Sequence, residues 1–351
     1  MDFICTWIYL DSPEESSEYP QVGKRSHLAD FQKVYWKCVA VFFALSTRFN
    51  PKRRHILFSN IAQEEIPWID GFDLKSFLKE KNVEVVTIPL TWQTPEGFFG
   101  KWRNQFYIFD ILTFIENGFK SGGYFNSSPD SDEPSFVILD SDCIINRPLD
   151  VLFAEIKHYG LLALPMPYSD THNINGVTRE QMRDIFAELD RNADSLSAQQ
   201  ENPVYYGGEI FAATLPVISQ INAIAPGVWQ KMLERHRAGQ PKLNEEAHFL
   251  SYCYHKIGRF GSLEGFIKRI WTSPHYSNVR AEDANLPIWH LPSEKTGGIA
   301  LIFKKLENRN WKLDALGGYL GVPKRTRYLN FRHFLKYTGL YKLVKRGWNT
   351  G

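Results

Sequence analysis

Cysteine is scarce in this chain of 351 residues, and methionine equally so, with four of each. Cys5, Cys38, Cys143 and Cys253 are scattered and form no Cys-x-x-Cys pair. That pattern excludes a disulfide scaffold and a zinc finger, and it suits a reducing compartment. Long apolar runs are missing too. The longest, Cys38 to Leu45, is far short of the roughly 20 residues a membrane span requires. Met1-Asp2-Phe3-Ile4 enters a strand-like run at once, so no signal peptide is expected. No glycine-rich, basic phosphate loop follows that first run, because Asp11 to Glu18 is acidic. No internal repeat is visible.

What is present is apolar and aromatic. Apolar residues make up 43% and aromatics 15%, enough for a substantial core and too much for global disorder. The net charge of +2 is unevenly spread, since the eight Lys and Arg from Lys324 onward meet no Asp or Glu. The rest of the chain is therefore net acidic. An acidic body without a recognisable module argues against nucleic-acid binding. In the tail, basic residues alternate with Leu329, Phe331, Phe334, Leu335, Tyr341, Leu343 and Trp348. This pattern fits an interfacial helix on an anionic membrane surface, and also a plain solvated helix.

Strand and helix patterns alternate through the first half. Strands are expected at Phe3 to Leu10, His55 to Ser59 and Val83 to Ile88. Helices are expected at His27 to Arg48, Asp73 to Glu80 and Trp102 to Asn117, with Gly118 as the stop. This alternation predicts an α/β sandwich with a mixed, mostly parallel sheet. The second half is less regular. Helices are expected at Thr178 to Leu189, at Leu215 to Arg237 with a break at Pro226-Gly227, and at Asn244 to Ile257. The expected division is a domain over 1–315, with halves 1–150 and 151–315, followed by a basic amphipathic tail over 316–351.

Five constellations bear chemistry. In Phe136-Val-Ile-Leu-Asp-Ser-Asp-Cys-Ile-Ile145, an uninterrupted apolar strand delivers Asp140 and Asp142 to the carboxyl edge of a sheet, where α/β folds bind ligands. Carboxylates so spaced can hold a hard divalent cation, and through it a pyrophosphate. Acids capping a turn, or a haloacid dehalogenase-type phosphatase, are the competing readings. The Cys143-Ile144 that follows disfavours the phosphatase. The second constellation is Ile288-Trp-His-Leu-Pro-Ser-Glu-Lys-Thr-Gly-Gly298, where His290 could complete the coordination of Mn²⁺ and Lys295 could neutralise phosphate. In the third, Tyr205-Tyr-Gly-Gly-Glu-Ile-Phe211, Gly207 and Gly208 mark a close approach to a ligand or another backbone. The fourth, Asn244-Glu-Glu-Ala-His248, offers a carboxylate at a helix start, either aimed into a cleft or serving the helix dipole. The fifth is Lys101-Trp102-Arg103, where Arg103 could fix a phosphate.

Taken in order, these pieces resemble a glycosyltransferase of the GT-A fold over roughly residues 1 to 300. Trp102 to Phe153, with Asp-x-Asp followed by Ile145-Asn-Arg-Pro-Leu149, is similar to the retaining glycogenin-like and lipopolysaccharide galactosyltransferase-like enzymes. His290 and Lys295 are similar to their His-x-x-Gly-x-x-Lys-Pro-Trp. Here Pro292-Ser293 stands around the Gly position and Thr296-Gly297 replaces Pro-Trp. Tyr206-Gly-Gly-Glu-Ile-Phe211 and Asn244-Glu-Glu-Ala-His-Phe249 resemble segments of the blood-group and α-galactosyl transferases.

The resemblance implies a Rossmann-like GT-A α/β/α sandwich that moves a hexose from a nucleotide-diphosphate sugar, preferably UDP-linked, to a saccharide or lipid-linked acceptor with retention. It implies Mn²⁺ or Mg²⁺ on Asp140, Asp142 and His290. Thr6, Trp7, Tyr9, Arg103, Asp140, Ser141 and Lys295 would bind the donor. Tyr206, Gly207, Gly208 and His248 would meet the acceptor. Glu246, and second to it Glu209, would serve the reacting sugar. A cytoplasmic enzyme, peripheral on the inner membrane face, is expected. A sugar-1-phosphate nucleotidyltransferase and a non-catalytic carbohydrate-binding protein are the alternatives.

Overall fold

The computed structural model describes residues 1–19, 22–125, 133–190, 201–273, 275–307, 316–338 and 340. The first half runs β1 (Asp2–Ile8), α1 (Ala29–Phe49), β2 (Arg54–Ser59), α2 (Leu74–Glu80), β3 (Val83–Thr87), α3 (Tyr107–Lys120) and β4 (Ser135–Leu139). The second adds β5 (Cys143–Ile145), α4 (Asp150–Tyr159), β6 (Leu161–Ala163), α5 (Arg179–Asp190), β7 (Ile210–Thr214), α6 (Leu215–Arg237) and α7 (Glu246–Ile257). It continues through β8 (Gly261–Ser262), β9 (Ile267–Arg269), β10 (Ile288–His290), α8 (Gly298–Glu307), α9 (Leu316–Leu320) and α10 (Arg327–Tyr337).

Seven strands form the main sheet in the order β8-β6-β7-β4-β1-β2-β3. β1 runs parallel to β2 and β4, β2 to β3, and β6 to β8, while β7 is antiparallel to both its neighbours. The mixed, mostly parallel sheet is the one the sequence predicts. The chain steps outward from β1 to β2 to β3, then returns to place β4 on the other side of β1. Beyond the carboxyl ends of β1 and β4 this reversal opens a crevice.

Helices cover both faces, which is why the strands read as unbroken apolar runs. Phe3, Cys5, Phe136 and Ile138 share a buried cluster with α3, α6 and α7. Ile4, Ile8, Val137 and Leu139 share the other with α1, α4 and α8. The longest apolar run, Cys38 to Leu45, is the centre of α1 and is buried throughout. A helix apolar all round is one enclosed on all sides.

A second sheet, β9-β10-β5, stands at the carboxyl end of the main one. Its register sets Arg269 beside His290 and His290 beside Cys143. Residues far apart in sequence thus meet one position from Asp142.

Several boundaries differ from expectation. α3 begins at Tyr107, not Trp102, because Trp102 has φ 47° and leaves the helical region. Gly118 does not end α3. A Cβ there would stand 2.8 Å from the Phe125 ring, so the glycine admits a packed aromatic. α6 runs unbroken through Pro226. α7 begins at Glu246, with Glu245 as an N-cap whose side chain makes no capping bond. The expected domain boundary at 315 lies outside the described residues, as does most of the loop that the sequence suggests from Asp190 to Asn202, where Asp190 itself is the last residue of α5. Leu316, Leu320 and Val322, beyond that boundary, are buried in the same cluster as α1 and α8. No helix among the described residues is long and apolar enough to cross a membrane.

Candidate functional site

At the β1/β4 crevice lies a cleft of about 1180 Å³, counting its open mouth. Trp7, Tyr9, Tyr19, Tyr35, Trp102 and Trp271 give it aromatic walls. Its polar lining includes Asp140, Ser141, Asp142, Glu209, Glu245, Glu246, Arg269, His290 and Lys295. Large flat apolar surfaces beside a few convergent polar groups are the usual composition of a small-molecule site.

Asp140 and Asp142 reach it because β4 ends at Leu139 and a tight turn follows, closed by the Cys143 N–H donating to the Asp140 carbonyl at 3.0 Å. His290 arrives on β10. Its Nε2 faces Asp140 Oδ2 at 3.6 Å and Asp142 Oδ2 at 3.4 Å. Among the described residues these three form the one acidic-imidazole group compact enough to share an ion, with ligand atoms within 4.8 Å of one another. Two carboxylates and one imidazole suit Mn²⁺ or Mg²⁺. Lys295 places its ammonium on Asp142 Oδ2.

Electrostatics separate the two aspartates. Burial works against charge on Asp142, but Lys295 and His290 outweigh it and hold the carboxyl well below the usual range. Asp140 is pushed up to about 6 by burial and by the charge of Asp142. Burial disfavours the His290 imidazolium, yet Asp142 and Glu209 raise its pKa to about 9.

Glu209 is 1% exposed. Arg269 holds it at both oxygens, from Nε at 2.9 Å and Nη2 at 2.5 Å. His290 Nδ1 lies 3.4 Å from the same carboxylate. Burial alone would raise the Glu209 carboxyl, and Arg269, then His290, bring it well below its ordinary value. Among the described residues Glu246 is paired with no cation, and Arg269 offsets its pKa shift only in part. Its Oε2 is buried without a partner, and burial, Glu245 and Asp140 push its pKa well above the carboxylate range. Beside it, Glu245 accepts from the Tyr205 hydroxyl at 2.7 Å and from Asn175 Nδ2 at 2.5 Å.

Of the residues expected from sequence, Trp7, Tyr9, Asp140, Ser141, Asp142, Gly208, Glu209, Glu246, His290 and Lys295 line this cleft. Others stand elsewhere. Thr6 is buried within the sheet and donates its hydroxyl to the Leu139 carbonyl at 2.8 Å. Arg103 turns its guanidinium to the carbonyls of Glu14 and Thr94, at 3.4 and 3.3 Å. Tyr206 packs against Tyr254 and Phe260. Gly207 backs onto the Glu209 carboxylate and Met166. His248 is fully buried behind the cleft against Tyr205, with its Nδ1 3.5 Å from Glu245. Tyr35, Gln105, Asn175, Glu245, Arg269 and Trp271 also line the cleft and were not foreseen. The sequence signals only that a glutamate in an apolar run needs some partner, and Arg269 is the one that meets it.

The class so defined is an α/β protein with a candidate divalent-cation site at its topological switch point. No family model matches the chain, and no curated protein matches it. Among solved structures it is similar to mouse xyloside xylosyltransferase 1 in its apo form, at 12% identity and TM-score 0.42, over 83% of this chain and 97% of that one. It is also similar to an active-site mutant of LgtC, at 13% identity and TM-score 0.43, over 90% of this chain and 99% of that one. A third is the galactosyltransferase LgtC with donor and acceptor sugar analogs, at 12% identity and TM-score 0.42, over 89% and 97% of the two chains.

Proposed function

We propose that the chain is a metal-dependent glycosyltransferase that moves a hexose from a nucleotide-diphosphate sugar, UDP-linked by preference, to a saccharide or lipid-linked saccharide. The supporting observation is the grouping of Asp140, Asp142 and His290 within 4.8 Å, at the carboxyl edge of β4 and inside an aromatic-walled cleft. Asp142 and His290 would hold Mn²⁺ or Mg²⁺, with Asp140 as third ligand. When bound, the cation supplies positive charge against a departing diphosphate.

The remaining chemistry belongs to the chain's own groups. Trp7 and Tyr9, at the end of β1, offer flat faces to a base and ribose. Lys295 provides a second positive charge for phosphate oxygens once it leaves Asp142. Glu246 would sit near the reacting sugar carbon and, once it gives up the proton that its burial favours, stabilise an oxocarbenium-like state or attack it, giving retention. Gly208 and the Asn175 side of the cleft receive the acceptor. Four buried free thiols suit a reducing, cytoplasmic compartment. The tail docks on an anionic membrane surface and brings the site to a lipid-linked acceptor. No nucleic acid takes part.

A donor screen tests the central claim by scoring metal-dependent nucleotide release from UDP-, GDP- and CDP-sugars. Release from one donor, abolished by chelator, is the expected result. Pyrophosphate release from a nucleoside triphosphate and a sugar-1-phosphate would support a nucleotidyltransferase instead. Binding of sugars with no turnover would support a carbohydrate-binding protein. The product anomer, assigned by NMR, decides retention, and clean inversion removes the role given to Glu246.

A further inference from the structure

We infer that Glu209 is a positioning residue for the metal ligand His290, held in that task by Arg269, and that it does not act on the sugar. This rests on the proposed metal site and deepens it.

Three observations converge. First, the Glu209 carboxylate is spent. Arg269 grips both its oxygens, at 2.9 and 2.5 Å, and Oε1 also stands 3.4 Å from His290 Nδ1. Second, the other face of that imidazole looks at the cation site, with Nε2 3.6 Å from Asp140 and 3.4 Å from Asp142. Among the described residues no hydrogen bond is formed at Nδ1, and the Glu209 carboxylate is the acceptor that faces it, at 3.4 Å; a carboxylate there favours the proton on Nδ1 and leaves the Nε2 lone pair for a metal. Carboxylate–histidine pairs of this kind orient the ring and raise its basicity as a ligand. Third, Glu209 ties both ligand-bearing strands together. Its carbonyl accepts from the Asp140 N–H at 3.0 Å, while its side chain meets His290. Arg269 is the register partner of His290 on the neighbouring strand, so backbone pairing fixes the distance between guanidinium and imidazole.

Glu246 is the contrasting carboxylate. It lines the same cleft with one buried oxygen that has no partner. Of the two glutamates, only this one has an oxygen left to spend on a substrate. The role assigned to Glu209 therefore separates the two residues that the sequence leaves as rivals.

The test measures Mn²⁺ affinity of the donor-free protein by calorimetry and EPR. It compares Glu209→Gln, Glu246→Gln and the double variant Glu209→Gln/Arg269→Met, which avoids a half-buried guanidinium left without its carboxylate. Glu209→Gln and the double variant are expected to weaken Mn²⁺ by about 10- to 100-fold, with donor turnover recovering at high metal. Glu246→Gln is expected to bind Mn²⁺ as the unchanged protein does and to lose turnover at every metal concentration. Unaltered Mn²⁺ affinity in both Glu209 variants overturns the assignment. If the unchanged protein binds no Mn²⁺ or Mg²⁺, the metal reading itself fails, a result distinct from failure of the Glu209 role. Thermal melts of each variant separate lost ligation from lost folding.

Discussion

Gly208 and Glu246 face each other so closely that a Cβ on the glycine would stand 2.5 Å from Glu246 Oε1 and 3.2 Å from the Ala247 Cβ. The absence of a side chain at 208 is therefore what lets the Glu246 carboxylate lie against the cleft floor. Gly208→Ala should displace that carboxylate while leaving the aromatic walls in place. A kcat loss of about 100-fold is expected, the scale of a 1 Å misplacement, with little change in donor KM. Turnover equal to the unchanged protein would show that the placement of Glu246 does not matter.

Of the three proposed metal ligands, Asp142 is the one most enclosed by positive charge, with Lys295 and His290 both on it. Asp142→Asn keeps the shape and removes the charge. It should abolish metal-dependent nucleotide release and weaken Mn²⁺ binding. It should also cost stability, since Lys295 is buried and loses the carboxylate beside it. Leaving a buried charge uncompensated costs about 3–5 kcal/mol. A folded variant with full activity would end the metal hypothesis.

Much of this site can be read in sequence because strand edges advertise themselves. The run into Asp140 and Asp142 is apolar for the physical reason that both faces of β4 are covered, and its acids fall where the sheet ends. His290 stands out as a polar residue between Trp289 and Leu291, and Lys295 by its place just before Gly297-Gly298. What could not be read is partnership across the chain. Arg269 meets Glu209 because the β9-β10-β5 sheet carries it to the turn after β4, where the Glu209 backbone is hydrogen-bonded to Asp140, a fact of register between segments with no distinctive pattern. Trp102 shows a different limit. Its local spacing is helical, but tertiary placement in the cleft wall holds it at φ 47°, and the helix starts five residues later, at Tyr107.

Glu294 is fully buried and receives Arg325, the Thr272 hydroxyl and, at 2.7 Å, the Gly298 N–H. It thus clamps the segment after α9 to the start of α8, one residue from Lys295. Arg325→Ala should destabilise the protein by about 3–5 kcal/mol, the usual result of breaking a buried pair. Because Lys295 adjoins the clamp, donor KM should rise as well. A denaturant melt and a KM measurement check both. An unchanged melt would mean that the pair adds nothing.

Phe331 and Phe334 are exposed on α10, at 61% and 57%, in a segment whose charged residues are all basic. If the tail docks on an anionic surface, both rings enter the headgroup region. Phe331→Asp/Phe334→Asp should lower binding to phosphatidylserine-containing vesicles by about 10-fold or more, at unchanged melting temperature. Equal vesicle binding by the variant, or none by the unchanged protein in low salt, removes the membrane role.

His55 gives a pH dependence away from the cleft. It is buried in β2, with Nε2 2.9 Å from the Ser46 hydroxyl and its ring against Phe43. Burial lowers its pKa from 6.5 to about 4. In the unfolded chain the imidazole takes a proton below about pH 6.5, whereas the folded protein keeps it neutral down to about pH 4. The unfolded state therefore binds more protons in that window, and stability rises with pH across it. His55 contributes nothing adverse above pH 6.5 and costs about 3 kcal/mol once the pH has fallen to 4, by linkage at 1.36 kcal/mol per pH unit. Urea unfolding between pH 4 and 7 measures the slope. His55→Gln should flatten it, and an identical slope in the variant would place the acid sensitivity in other groups.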